Sequence, residues 1–214
     1  MQGERVTEPL VTRGGIIWAG VFLLVLVWSA IQPFDRFIWW LEVSPALIAA
    51  GVLLLTRRRF PLTTLTYSLI LLHTIILMVG GHYTYAEVPL FDWLAELFNW
   101  QRNNYDKVGH FAQGFVPAMV LREVLLRNEV VNGRIWLGSI IVCISLAISA
   151  LYELAEWWVA LLTGTAAEAF LATQGYIWDT QSDMAWALFG AVVAIALLSR
   201  WQDHQLQSMA ESSN

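Results

Sequence analysis

The chain has 214 residues, 57% of them hydrophobic and 14% charged, with 12 Trp and a formal net charge of -5. A soluble domain carries about 25% charged residues, so this composition excludes a water-soluble globular protein. It predicts an all-α, polytopic membrane bundle of about six spans, each built on an apolar run near the ~20 residues that cross a hydrocarbon core. The single cysteine, Cys143, excludes an internal disulfide and a cysteine-based metal site, and its apolar setting predicts a small core residue.

Glu4 and Glu8 stand beside Arg5 and Arg13, and no small-residue cleavage site follows the first apolar run. The first span is therefore expected to be retained rather than removed as a signal. Span one is expected at about 14–31, closed by Gln32 and Pro33. A short turn with Asp35 and Arg36 leads into span two, about 37–55, which Glu42 and Ser44-Pro45 interrupt. Proline is tolerated near a helix start or at a kink. Arg57, Arg58 and Arg59 close that span, and span three follows at about 62–80, running out through Gly80, Gly81 and His82.

Between 86 and 104, Phe91, Trp93, Leu94, Leu97, Phe98 and Trp100 alternate with Asp92, Glu96 and Asn99. That pattern predicts a short amphipathic helix in the membrane interface. Spans four to six are expected at about 106–126, 135–162 and 183–198, with a loop at 163–182. Residues 1–201 form one transmembrane domain, followed by a polar, disordered cytoplasmic tail at 202–214. With a cytoplasmic N-terminus, nine of the 12 basic residues lie inside, leaving Arg36, Arg102 and Lys107 outside. The positive-inside bias therefore predicts that both termini are cytoplasmic.

The polar residues within the spans carry the functional expectation. Asp106 and His110 are four apart and share one helix face. At ~1.5 Å per helical residue, His110 stands roughly 26 Å from Arg127, Glu153 roughly 29 Å from Arg134, and Asp183 roughly 26 Å from Arg200. Three spans thus lift ionisable groups to one height, near the outer edge of a ~30 Å core. His82 arrives slightly higher and Glu42 slightly lower.

A carboxylate near mid-membrane costs about 2.5–3.5 kcal/mol, so such groups turn inward and find partners. Glu153, Glu156, Asp179 and Asp183 have only Lys107 and Arg102 as basic neighbours at this height. A divalent metal ion bound by His110, Glu153 and Asp183, with Asp179 and His82 as further ligands, would supply the missing charge. Asp106 or Glu156 would act as the catalytic general base. Plainer roles exist for each: Asp179 suits a solvated place among the headgroups, Asp106 an N-cap, and His110 a satisfied interior position. His73, without an obvious partner, reads as structural.

Trp18, Trp39, Trp40, Trp93, Trp100, Trp157, Trp158 and Trp178 fall near span ends, as interface belts do, and none requires a cofactor. Gly109, Gly114, Gly133 and Gly138 would allow close packing or turns, and Gly190 would let span six approach a neighbour. There is no Ser-His-Asp arrangement, phosphate-binding loop or dinucleotide fingerprint, so neither nucleotide nor flavin is expected, and nothing supports nucleic-acid binding.

The motifs H-Y-T-Y at His82–Tyr85, Y-D-K-V-G-H-F at Tyr105–Phe111, Y-E-L-A-E-W at Tyr152–Trp157 and W-D-T-Q-S-D-M at Trp178–Met184 resemble those of the YjdF family of bacterial inner-membrane proteins. The resemblance spans essentially the whole chain and implies an inner-membrane location, without an activity. The second half is also similar to VanZ-like membrane proteins. Asp106, Lys107, His110 and Phe111 match their D-K-x-x-H-F element, and Glu153, Asp179, Asp183 and Gly190 approximate the rest. Glu156 and Ala187 depart from the Gln-like and Asn residues of that pattern.

The best functional expectation is a metal-dependent membrane hydrolase or transferase with a polar site near the periplasmic face. Its substrate would be a lipid or envelope precursor, the molecules that reach such a depth. The alternatives are an ion- or proton-binding transporter and a non-catalytic protein whose polar cluster holds helices together. A transporter fits less well, because no inverted repeat is evident and the acids lie at one face rather than the midplane.

Overall fold

A computed structural model describes residues 13–163 and 171–212. Its long elements are α1 (Arg13–Ala30), α2 (Arg36–Thr56), α3 (Thr64–Tyr83), α4 (Pro89–Phe98), α5 (Tyr105–Arg127), α6 (Arg134–Thr163) and α7 (Asp179–Ser212), and no strand occurs among the described residues. The readings of the N-terminal lead-in and of the first part of the 163–182 loop fall on residues 1–12 and 164–170, outside the described set.

Local chemistry sets the helix ends. Asp35 Oδ1 accepts from the backbone N–H groups of Phe37 and Ile38 at 2.7 and 2.9 Å, capping α2. Pro45 inside α2 removes the donor that the Leu41 carbonyl would otherwise receive. The Ser44 hydroxyl replaces it at 2.9 Å. Pro89 opens α4, and Asn99 ends it in the left-handed conformation, φ 53°. The expected amphipathic segment is thus a helix of 10 residues, with Leu90, Trp93, Leu97 and Phe98 exposed.

Five helices, α1, α2, α3, α6 and α7, are long and apolar enough to cross a membrane. Their outward faces carry exposed Leu24, Leu55, Ile135 and Leu162, the side chains suited to a lipid solvent. α5 has 23 residues, about 35 Å of helix, but its sequence is too polar to qualify by hydropathy. It runs through the centre of the bundle instead, packed by α3, α6 and most extensively α7, while α1 and α2 pack on α3. Gly114 and Gly190 permit that central contact: a Cβ on Gly114 would strike the Ala187 carbonyl oxygen, and one on Gly190 that of Phe111.

At the end of the bundle where α3 begins and α5 ends, a second polar group lies wholly inside. Glu123 accepts the Thr63 N–H at 2.8 Å and the hydroxyls of Thr63 and Thr66 at 2.8 and 2.6 Å. Arg127 pairs with it at 3.2 Å. Gln202 donates to the Met119 carbonyl and accepts from Arg122, both at 2.9 Å. A fully satisfied buried network of this kind fixes helix register.

Three expectations are corrected. The segment from Gln202 is no disordered tail: it continues α7 to Ser212, because its polar groups find partners on α3 and α5. Gln202 is fully buried, Gln205 accepts from the Leu65 N–H at 3.0 Å, and Asp203 pairs with Arg122 at 2.6 Å. Cys143 is exposed rather than internal, since it lines a groove between α6 and α7. Trp39 leaves the interface belt for the core, where its indole N–H donates to Ser29 Oγ at 3.2 Å.

Candidate functional site

The start of α5, the later part of α6 and the start of α7 converge on His110. Its Nδ1 lies 3.2 Å from Gln113 Oε1, one helical turn further along α5. Gln113 Oε1 can accept from Nδ1–H there, and in the neutral ring that leaves the lone pair on Nε2, the form in which histidine binds metals. Nε2 faces Asp106 Oδ1 at 3.3 Å, Glu153 Oε1 at 3.6 Å and Asp183 Oδ2 at 4.0 Å. Three carboxylate oxygens thus gather within 4.0 Å of Nε2. Ligand atoms of Asp106, His110 and Asp183 lie within 4.8 Å of one another, and all three residues are buried. Asp106 Oδ2 makes no hydrogen bond but lies 3.5 Å from Lys107 Nζ and 3.7 Å from the Arg102 guanidinium. Glu153 Oε1 is buried without a hydrogen-bond partner, and since buried polar atoms are nearly always paired, it marks the cluster as chemically incomplete.

Two cations flank it. Lys107 Nζ donates to Asp179 Oδ1 at 2.8 Å and to Asp183 Oδ1. Arg102 donates to Asp179 Oδ1 at 2.6 Å and to the carbonyls of Ala172 and Thr173, each at 3.3 Å. Asn103 and Gln174 exchange two further hydrogen bonds of 2.9 Å. The chain entering α7 is thereby strapped across the start of α5. Asp183 is shared, one oxygen on the lysine and the other toward the histidine.

Two more elements reach the same region. Glu42 of α2 is 4% exposed and accepts from the Tyr152 hydroxyl at 3.4 Å. Tyr85, in the α3–α4 connection, fits its ring between Gly80 and Gly109, where a Cβ on either glycine would run into it. Burial pushes its hydroxyl well above the usual tyrosine range, with Glu42 and Tyr152 among the groups it faces. It therefore stays a neutral donor at any physiological pH.

Of the residues expected at one site, Asp106, His110, Glu153, Glu156, Asp179 and Asp183 are all buried at this end of the bundle. Their roles shift. Asp179 is buried rather than solvated, its Oδ1 shared by Arg102 and Lys107. His82 does not join the cluster: its Nδ1 lies 3.1 Å from the Ser29 carbonyl and its ring stacks against Trp28. Depth along a helix says nothing about direction around it, and His82 points to α1. Asp106 stands among the candidate ligands rather than behind them. Gln113, Tyr85 and Tyr152 had no role in the sequence reading, although Tyr85 and Tyr152 stand in its motifs and Gln113 follows His110 by three residues.

The chain matches the family described as "Predicted membrane protein (DUF2238)" over residues 15–204. It is 48% identical over 203 residues to the inner membrane protein YjdF of Escherichia coli (strain K12), an alignment covering 95% of this chain and 96% of that one. No solved structure matches it. The chain belongs to this family, and it is a multi-pass inner-membrane protein.

Proposed function

We propose, with that family membership as premise, that the chain is a divalent-metal-dependent hydrolase or transferase acting on a lipid or envelope precursor. One observation carries the reading: oxygens of Asp106, Glu153 and Asp183 converge within 4.0 Å of His110 Nε2. Such a gathering is repulsive until a cation enters it.

Asp106, His110 and Asp183 are the ligands, a mixed nitrogen and oxygen set suited to a borderline or hard divalent ion. Bound there, a divalent ion would supply a Lewis acid and a water of lowered pKa. Glu153, whose Oε1 has no hydrogen-bond partner, would serve as general base. Gln113 holds the imidazole in its metal-binding tautomer. Lys107 and Arg102, carried by Asp179, bring positive charge beside the ligands for an anionic substrate group. With both termini cytoplasmic, as the positive-inside bias favours, this end of the bundle opens to the periplasmic leaflet.

Incubation with polar lipids extracted from inner membranes, followed by lipid mass spectrometry, tests this. Metal-loaded protein is expected to deplete one lipid class, and chelation or Glu153→Gln to abolish the depletion. A lipid profile identical with and without protein, across Mg2+, Mn2+ and Zn2+, would reject the enzyme.

A second reading, an ion- or proton-binding transporter, draws on Ser149 and Ser145, whose buried hydroxyls lack partners one and two turns below Glu153. Below them Met119, Ile141, Ala191 and Ala194 form a fully buried apolar layer that offers an ion no ligand.

A further inference from the structure

A serine or threonine hydroxyl inside a membrane finds no partner in lipid, so it turns back to a carbonyl of its own helix. Ser29, Ser44, Ser68, Thr74 and Ser199 all do so, as does Thr163 on α6 itself. Ser145 and Ser149 do not. Both are fully enclosed, and neither Oγ has a hydrogen-bond partner among the described residues. They share the buried face of α6 with Glu153, on successive turns, and Glu153 Oε1 is the third unpartnered atom on that face.

Helix geometry indicates what would satisfy them. Residues four apart on a helix stand ~6 Å apart along its axis. Hydroxyls at that separation cannot bond each other, but a single water, ~2.8 Å from each oxygen, bridges them. The polar run stops one turn further on, at Ile141, which packs in an apolar layer with Met119, Ala191 and Ala194.

We propose that Ser145 and Ser149 hold internal water in a blind pocket running from Glu153 into the bundle, with one molecule on either side of Ser149. Each molecule then gains the polar partners that an internal water needs. The one nearer the site donates to Glu153 Oε1, which keeps further lone pairs toward His110. That donor fixes the orientation of the carboxylate, so Ser149 and Ser145 are positioning residues for the general base. Because the apolar layer closes the pocket, Glu153 is hydrated from inside without a path opening across the membrane. The pocket itself does not depend on the metal centre proposed above; this positioning role does.

X-ray radiolysis of the full-length chain in lipid nanodiscs, with a chelator present, tests the pocket, since radicals formed from bound water oxidise the side chains beside it. Met119, in the closing layer, is the reporter. Met78, equally enclosed but packed among Trp39 and Val43 of α2, is the reference. Met119 is expected to oxidise several-fold faster than Met78. In the double variant Ser145→Val, Ser149→Val it should fall to the Met78 rate, because an apolar pocket stays dry. Ser145→Ala with Ser149→Ala serves if the valine pair does not fold. Equal rates in the wild type, or a fast Met119 rate that survives loss of both hydroxyls, would overturn the pocket and leave the metal centre untouched.

Discussion

Glu123 and Glu153 are both buried carboxylates, and their surroundings assign them opposite roles. Glu123 is fully enclosed and accepts from Thr63, Thr66 and Arg127, so its charge is compensated. Glu153 presents a buried oxygen with no partner. Replacing Glu123 by Gln breaks a compensated buried network and is expected to lower stability by about 3–5 kcal/mol. Replacing Glu153 by Gln removes an uncompensated charge and is expected to be neutral or stabilising by about 1 kcal/mol in the metal-free protein. Thermal unfolding in detergent with a chelator present measures both. Equal losses would mean that the two clusters are structural alike. The sequence exposed Glu153 readily, since an acid in an apolar run stands out. Glu123 was hidden beside Arg122 and Arg127, where a charge suggests water, although its i,i+4 relation to Arg127 was visible.

At the scale of helices, α5 organises the bundle. Its polar residues turn inward, which explains why a 23-residue element at its centre lacks the hydropathy of a span. The predicted boundaries at 106–126 nevertheless lie within a residue of Tyr105–Arg127; at the start Asn103 Oδ1 accepts the Tyr105 N–H, and Arg127 is the last residue. The close approach of α7 depends on Gly114, whose Cβ position is filled by the Ala187 backbone. Gly114→Ala must push α7 away and is expected to cost about 1–3 kcal/mol or more. It should also weaken metal binding, since Asp183 sits one turn from Ala187 on the displaced helix. Gly138→Ala, at a position open on all sides, is the control expected to leave both unchanged. Loss of stability without loss of metal binding would argue that the centre tolerates movement of α7.

For the molecule as a whole, composition and apolar runs were enough to read an all-helical bundle, since lipid leaves a chain few other options. What composition missed was how α7 ends. Leu198, Gln202, Leu206 and Met209 recur at helical spacing, but polar character from Gln202 outweighed that period in the reading. The common height of His110, Glu153 and Asp183 was legible from counting residues; the direction each side chain faces was not, and His82 was misplaced for that reason. The bundle thus has two polar ends of different character. One is saturated by its own hydrogen bonds, and the other gathers charge that the described side chains do not balance.

Elemental analysis of protein purified without chelators tests that distinction most directly, comparing wild type, His110→Ala and Glu123→Gln. At least one equivalent of divalent metal is expected in the wild type and in Glu123→Gln, with loss in folded His110→Ala. A wild type that stays metal-free after incubation with Mg2+, Mn2+ and Zn2+ would contradict the metal centre and leave the carboxylates neutralised by protons.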